Sequence, residues 1–243
     1  MINTVSKNKR KRCWVLKCDI KKFFDSVDQE ILFEIIKKKI KDNDFLRLIS
    51  GIIKSYPTNR LSVGGGLNRK GIPLGNLTSQ LFVNIYLNEL DQFIKHRLSH
   101  KKAIAVNCDK NYPFRYYLRY SDDFILITNN ENCLKLLIPR IQDFLKSKLK
   151  LELHPNKISI RKYTQGIDYL GYVVLSKYRL VRTKTKRRIY SKLKKKVKEF
   201  KSGLIKEATL KQSLNSYLGV LSHANSYELE QDLLNHFWFW MKE

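Results

Sequence analysis

The chain has 243 residues, of which 43% are hydrophobic and 12% aromatic, enough for one or two packed cores. Its 48 Lys and Arg against 22 Asp and Glu leave a formal charge of +26, so a polyanionic partner is expected, nucleic acid before an acidic membrane. No apolar run is long enough to span a bilayer and no apolar segment follows the basic N-terminus, which points to a soluble, cytoplasmic protein.

Residues 1–12 carry a small basic block of Lys7, Lys9, Arg10, Lys11 and Arg12, readable as a solvated tail or as a phosphate contact. Cys13–Ile20 then has the pattern of a strand and places Asp19 near its end. An acid at the end of a buried strand is costly unless it is paired or bound to a metal. Residues 21–28 turn into a helix whose buried face is marked by Leu32, Ile35, Ile36 and Ile40; Asp28 is its candidate N-cap and Asp25 a turn residue. A second helix is expected over Asp44–Ser55, followed by a flexible hairpin-like link at Leu61–Gly66.

Gly71-Ile72-Pro73-Leu74-Gly75-Asn76-Leu77-Thr78-Ser79-Gln80 leads into a long helix, with Leu81, Phe82, Ile85, Leu90, Phe93 and Ile94 expected on its core side. Gly71 and Gly75 allow close approach of backbone, although the segment alone also suits a capped loop. After a basic linker over 95–112 comes Leu118–Ile127, which reads as strand, tight turn, strand with Tyr120-Ser121-Asp122-Asp123 at the tip. Two adjacent carboxylates repel each other. They suit either a solvated turn or a bound cation.

A helix over Cys133–Leu149, a turn at His154-Pro155-Asn156-Lys157, a strand at Ile158–Ile160 and a strand pair across Gly166–Val174 complete this part. The four cysteines, Cys13, Cys18, Cys108 and Cys133, form no Cys-x-x-Cys pair, so reduced structural thiols are expected. Composition shifts near residue 176. Between Lys177 and Lys201 there are thirteen Lys or Arg and one acid, Glu199, while Ile189, Leu193, Val197, Phe200 and Leu204 keep helical spacing. This predicts an amphipathic helix in a helical C-terminal domain, with Lys184, Lys186, Arg187, Arg188, Lys192 and Lys195 as phosphate contacts.

In this order the motifs resemble the reverse transcriptases. Asp19-Ile20-Lys21-Lys22-Phe23-Phe24 resembles their first catalytic motif, Gly71–Gln80 the second, Tyr120–Asp123 the third and His154–Lys157 the fourth; Tyr169-Leu170-Gly171-Tyr172 resembles the primer grip. The resemblance implies an α+β fold: a βααβαβ palm, with an antiparallel sheet and helices on one face, over residues 13–175, and a basic helical thumb over 176–243. Residues 1–12 would be a remnant of the fingers. It implies an RNA-directed DNA polymerase that uses two Mg²⁺, with Asp19 and Asp122 as main ligands, Asp123 in support and the Ile20 carbonyl as an extra ligand. Lys157 would donate a proton to pyrophosphate, Phe24 would be the steric gate against ribonucleotides, and Leu74 and Gly75 would line the nucleotide site. Partners would be an RNA template, a DNA primer and deoxynucleoside triphosphates.

Leu74-Gly75-Asn76-Leu77-Thr78-Ser79-Gln80, Asn84–Asp91 and Asn215–His223 are most similar to the diversity-generating retroelement class, near the group II intron-like enzymes. That class copies a template repeat with errors at adenine and works with a small basic accessory protein. Related defence-associated enzymes share parts of the motif. Ser121 stands where Ala, Val or Met is usual, and only eighteen residues precede Asp19, where the family has its fingers. The chain alone is therefore expected to bind primed template but extend it poorly; a nucleic-acid-binding protein without polymerase activity is the reading of another class.

Overall fold

A computed structural model describes residues 12–55, 69–73, 75–98, 114–175 and 177–243. The basic block at 7–11, the link at 61–66, Leu74 and most of the 95–112 linker lie outside the described residues. The chain divides into two compact units, Met1–Arg161 and Lys162–Glu243.

The first unit is built on a four-stranded sheet of order β2-β3-β1-β4, from β1 (Trp14–Asp19), β2 (Tyr116–Tyr120), β3 (Asp123–Thr128) and β4 (Ser159–Lys162). β1 and β2 both run antiparallel to β3, in a register that pairs Asp19 with Asp123 and Tyr120 with Asp123. Because side chains alternate along a strand, Leu16, Cys18, Phe124 and Leu126 all fall on one face, and each is fully buried. That face meets the helices. They are α1 (Phe23–Ser26), α2 (Gln29–Lys37), α3 (Asn43–Lys54), α4 (Leu77–Gln92) and α5 (Glu131–Leu149), with a π-helical turn over Phe93–Leu98 extending α4.

Local signals account for the boundaries. The Asp28 side chain accepts hydrogen bonds from the amides of Glu30 and Ile31, capping α2 as expected; its second oxygen holds Lys150 Nζ at 2.7 Å. α4 keeps most of the expected core side: Phe82, Leu90 and Ile94 are buried, and Ile85 and Phe93 pack partly against the core. Phe82, Val83, Tyr86, Leu87 and Leu90 are buried, whereas Leu81, expected in the core, is 58% exposed. One position along a helix turns a side chain by about 100°; Leu81 therefore points out while the Tyr86 ring packs edge-on to Phe23 at 6.3 Å and its hydroxyl donates to the Leu149 carbonyl at 2.7 Å. Cys13 and Cys18 are free and buried, and burial pushes their thiols up to about 11 and about 12. Cys133 is buried on α5, and Cys108 lies outside the described residues.

The second unit carries a three-stranded antiparallel sheet, β5 (Ile167–Tyr169), β6 (Tyr172–Val174) and β7 (Arg179–Val181), and the helices α6 (Thr183–Lys201), α7 (Glu207–Ser222) and α8 (Tyr227–Lys242). Its core joins Ile189, Leu193 and Val197 of α6 to Leu210, Leu214 and Leu221 of α7 and to Leu233, Phe237 and Trp240 of α8. Leu204 leaves the expected stripe and is 75% exposed. The reason is a Schellman stop: Gly203, at φ 73°, donates to the Phe200 carbonyl, and Leu204 donates to that of Glu199, so the helix ends before Leu204.

No helix of the described residues is long and apolar enough to cross a membrane.

Candidate active site

The β2–β3 turn is as short as a hairpin allows. With Tyr120 paired to Asp123, only Ser121 and Asp122 form the loop, and Ser121 takes a φ of 54°. A non-glycine residue held there costs roughly 1–2 kcal/mol, so something else in the structure must hold it. Asp123 is also the register partner of Asp19 on β1, so the two carboxylates lie side by side on one face of the sheet, with Asp122 in the adjoining turn. Of the three acids singled out in the sequence, the structure pairs Asp19 with Asp123 and places Asp122 in the turn beside them.

Electrostatics at this point are those of crowded acids. Burial raises the Asp123 carboxyl above its ordinary value; Lys17, 3.8 Å away, opposes the rise, while Asp19 and Asp122 add to it. Asp19 is 8% exposed, and both its oxygens accept from Lys157 Nζ, at 3.0 and 2.9 Å. The hydrogen bond to Asp19 is the main cause that raises the Lys157 ammonium, so this lysine keeps its proton. Among the described residues no three His, Cys, Asp or Glu side chains converge as a ready-made metal centre. Instead, Asp19 and Asp123 are each turned to a lysine. Hard carboxylate oxygens that repel each other and recruit ammonium groups are the donor chemistry that a divalent oxygen-seeking cation fits.

Backbone pairing sets the neighbouring positions. His154 N donates to Asp19 O and Lys21 N to Glu152 O, which bridges Ile20 to Leu153. Strand carbonyls alternate in direction, so the Ile20 carbonyl is turned away from segment 152–154 and toward the β3 side, where the acids are. The same ladder carries the short helical turn Pro155–Lys157 that presents Lys157.

The second motif is laced to the first. Gly71 N donates to Val27 O and Ile72 N to Phe24 O, at 2.7 and 2.9 Å, and Gln29 Nε2 donates to Gly71 O. Phe24 is half-buried, with its ring edge-on to the fully buried Phe23 at 5.6 Å. Gly75 has φ 87° and open space where a Cβ would stand, so glycine serves the turn there and not a close approach. Leu74 lies outside the described residues.

Tyr169–Tyr172, which resemble a primer grip in sequence, form the β5–β6 hairpin in the second unit. Tyr169 pairs with Tyr172, leaving Leu170 (φ 51°) and Gly171 (φ 86°) as a two-residue loop of the type I′ kind. Lys184, Lys186, Arg187, Arg188, Lys192 and Lys195 are all exposed along α6. Two lysines on this helix also lie over aromatic rings, Lys186 over Tyr190 at 5.5 Å and Lys194 over Trp240 at 5.7 Å.

Sequence reasoning missed the network beneath the catalytic turn. Arg119 Nε and Nη2 grip both oxygens of Asp91 at 2.8 and 2.7 Å, and Tyr117 Oη donates to Asp91 Oδ1 at 2.7 Å. Arg119 Nη1 reaches Asn84 Oδ1 at 3.3 Å and the Ser121 carbonyl at 3.0 Å. The signal available was Asn84 and Asp91 two turns apart on one helix, beside an arginine in a strand otherwise apolar and aromatic.

The sheet, the helices against one of its faces and the paired acids make a palm-like α+β fold, and the chain matches a known class at the level of family. Residues 2–174 match the family model described as reverse transcriptase (RNA-dependent DNA polymerase), and the chain belongs to that family. It is 26% identical over 213 residues to the group II intron-encoded protein LtrA of Lactococcus lactis, a match covering 65% of this chain and 34% of that protein. It is 28% identical over 172 residues to the retron Ec73 reverse transcriptase of Escherichia coli, covering 67% of this chain and 45% of that one. Among solved structures, telomerase from Candida albicans in complex with the TWJ fragment of telomeric RNA aligns with TM-score 0.56 at 14% identity, over 99% of this chain and 41% of that chain. This likeness bears out the α+β fold expected for the family. The chain spans between about a quarter and a half of the length of the curated relatives it matches.

Proposed function

We propose that the chain carries the catalytic palm and the thumb of an RNA-directed DNA polymerase, with residues 13–175 as palm and 176–243 as thumb. The observation that carries this reading is the pairing of Asp19 with Asp123 across two strands, with Asp122 in the two-residue turn beside them. Asp19 and Asp122 would hold two Mg²⁺, with Asp123 and the Ile20 carbonyl in support. When bound, the two ions supply charge stabilisation to the attacking and leaving oxygens of the in-line displacement.

The chain's own residues supply the rest. Lys157, kept protonated, donates to the leaving pyrophosphate once Asp19 is engaged elsewhere. Phe24, tied through its carbonyl to Ile72, sets its ring against a ribose 2′-hydroxyl. Leu74 offers no polar group to the incoming base, so discrimination leans on shape, and lower fidelity follows. The hairpin at Tyr169–Tyr172 holds the primer end, and the exposed cations of α6 track its phosphates. The residues at 74–80, 84–91 and 215–223 favour a diversity-generating retroelement, in which the enzyme would copy an RNA repeat with a small basic accessory protein as partner. A cytoplasmic setting accords with that role.

The test is extension of a DNA primer on an RNA template by the chain, alone and with a fingers segment supplied fused or in trans, with Mg²⁺ and the four deoxynucleoside triphosphates, sequenced product by product; the chain alone is expected to extend poorly. The reading predicts templated cDNA with errors concentrated opposite adenine. Tight template binding with no product even when the fingers segment is supplied would identify a nucleic-acid-binding protein instead, and errors spread evenly over all four bases would place the chain elsewhere in the family. Charge reversal at Lys184, Arg188, Lys192 and Lys195 should weaken binding to every sequence. It should also flatten the slope of log affinity against log salt by about 0.7–0.9 for each phosphate no longer neutralised. An unchanged salt slope would remove α6 from the nucleic-acid surface.

A further inference from the structure

Three facts meet at Arg119. It lies on β2 two residues before the catalytic turn, and alternation along the strand puts its side chain on the helix-covered face, opposite the carboxylates. Its side chain is only 9% exposed, and its bidentate partner Asp91 16%. The fork has five N–H donors in a fixed plane, and three directions are used: the Asp91 carboxylate, the Asn84 amide oxygen on the same helix, and the Ser121 carbonyl at the tip of the turn.

The Ser121 carbonyl belongs to the peptide that joins Ser121 to Asp122. Fixing that oxygen fixes the plane of the peptide, and with it the direction in which the Asp122 Cα–Cβ bond leaves the chain. Ser121 stands at φ 54° without the freedom of glycine, so the turn has an intrinsic tendency to relax out of this shape. Arg119 supplies the counter-force. Asp91 in turn keeps the guanidinium from swinging, and Tyr117 Oη keeps Asp91 in place.

We propose that Arg119, locked by Asp91 on α4, is a positioning residue that aims the Asp122 carboxylate from the far side of the sheet. It touches no reacting atom. The inference rests on the reading of Asp122 as a metal ligand in nucleotidyl transfer. It adds that α4, whose N-terminus follows the Gly71–Gly75 turn, also holds the catalytic hairpin in register through its C-terminal half.

Two measurements on the full chain test it. In single-turnover primer extension, Arg119→Met should lower the rate of chemistry about 100-fold, the scale of an angstrom-sized misplacement, while the Kd for primed template stays within twofold of wild type. Arg119→Lys keeps the charge but cannot bond Asp91 and Ser121 together; it should lose a similar factor, and it serves if the methionine variant does not fold. Full wild-type rates in Arg119→Lys would overturn the proposal, as would equal losses of rate and template binding. Independently of catalysis, binding of Mn²⁺ by electron paramagnetic resonance should be weaker in Arg119→Lys than in wild type. The double variant with Asp122→Asn should bind no more weakly than Asp122→Asn alone, because both changes act on one ligand. Additive losses would mean that Arg119 does not act through Asp122. A wild-type chain that binds Mn²⁺ but makes no cDNA even with a fingers segment supplied would refute the polymerase reading and leave the positioning role to stand or fall on the metal data. No Mn²⁺ binding by wild type would overturn both.

Discussion

Two hairpins in this molecule have loops of the same length and reach them by different chemistry. The β2–β3 hairpin puts Ser121 and Asp122 in its loop, and the β5–β6 hairpin puts Leu170 and Gly171 there. Each forces a non-glycine residue to positive φ, 54° at Ser121 and 51° at Leu170. In the second hairpin Gly171 accepts the other left-handed position freely and its carbonyl accepts from Arg182 N at 3.0 Å, while the Arg182 side chain pairs with Asp168 at 2.6 Å, with both side chains partly exposed. The first hairpin has an aspartate in place of that glycine and is held by a buried arginine–aspartate pair. The difference teaches what a charged tip requires. A loop that only has to turn can be made by glycine; one that must aim a carboxylate needs rigid side chains from a neighbouring helix.

The comparison can be broken most severely at Asp91. Asp91→Asn leaves the Arg119 guanidinium buried without its counter-charge, and loss of one partner of such a pair costs about 3 kcal/mol or more. Urea denaturation followed by circular dichroism should show that loss, and a change below about 1 kcal/mol would mean the pair is not the support described here.

Gly171→Ala probes the other hairpin. A Cβ there would meet only Thr185 Oγ1, at 3.5 Å, so the cost is conformational and not steric. A loss of roughly 1–2 kcal/mol in stability is expected, with template binding retained once the protein is folded. Neutral behaviour in a thermal melt would show that the loop is not locked in the left-handed form.

Leu170→Asn should move the other way, by about 0.5–1 kcal/mol, because Asn tolerates φ > 0 and Asn-Gly is the favoured pair for this turn. A falling melting temperature would argue that the exposed Leu170 side chain has a packing role that outweighs its strain.

The smallest effect concerns pH. Burial and the neighbouring carboxylates raise Asp123 above its ordinary 3.8, so between that value and its folded-state pKa the folded protein holds more protons than the unfolded chain. Stability contributed by this group therefore falls as pH rises through that window. Asp123→Asn should melt higher than wild type at pH 7 in the absence of divalent metal, with the gain vanishing below about pH 3.8. A lower melting temperature at pH 7 would mean that the pair with Lys17 outweighs the repulsion.

Much of this was legible in the chain. The strand ending in Asp19, the two-residue turn, the Asp28 cap and the basic stripe of α6 each follow from local patterns, because alternation, capping and helical spacing are short-range properties. The exposure of Leu81 was not, since Leu81 and Phe82 are equally apolar and only tertiary packing chooses between them. The Arg119 network was not either. Its partners stand 28 and 35 positions away, and nothing local distinguishes Asp91 from a solvated helix residue. Lys157 was found only through the family motif; its bond to Asp19 joins residues 138 apart.

Incorporation of a single nucleotide on an RNA-templated primer, measured beside primer–template affinity in wild type and Asp122→Asn, tests the central claim most directly. The account predicts that wild type adds the nucleotide only with a divalent cation, and that the variant binds the same duplex equally well, melts at nearly the same temperature and adds nothing measurable. Incorporation by Asp122→Asn at the wild-type rate, or a variant that loses fold and binding together with activity, would contradict it.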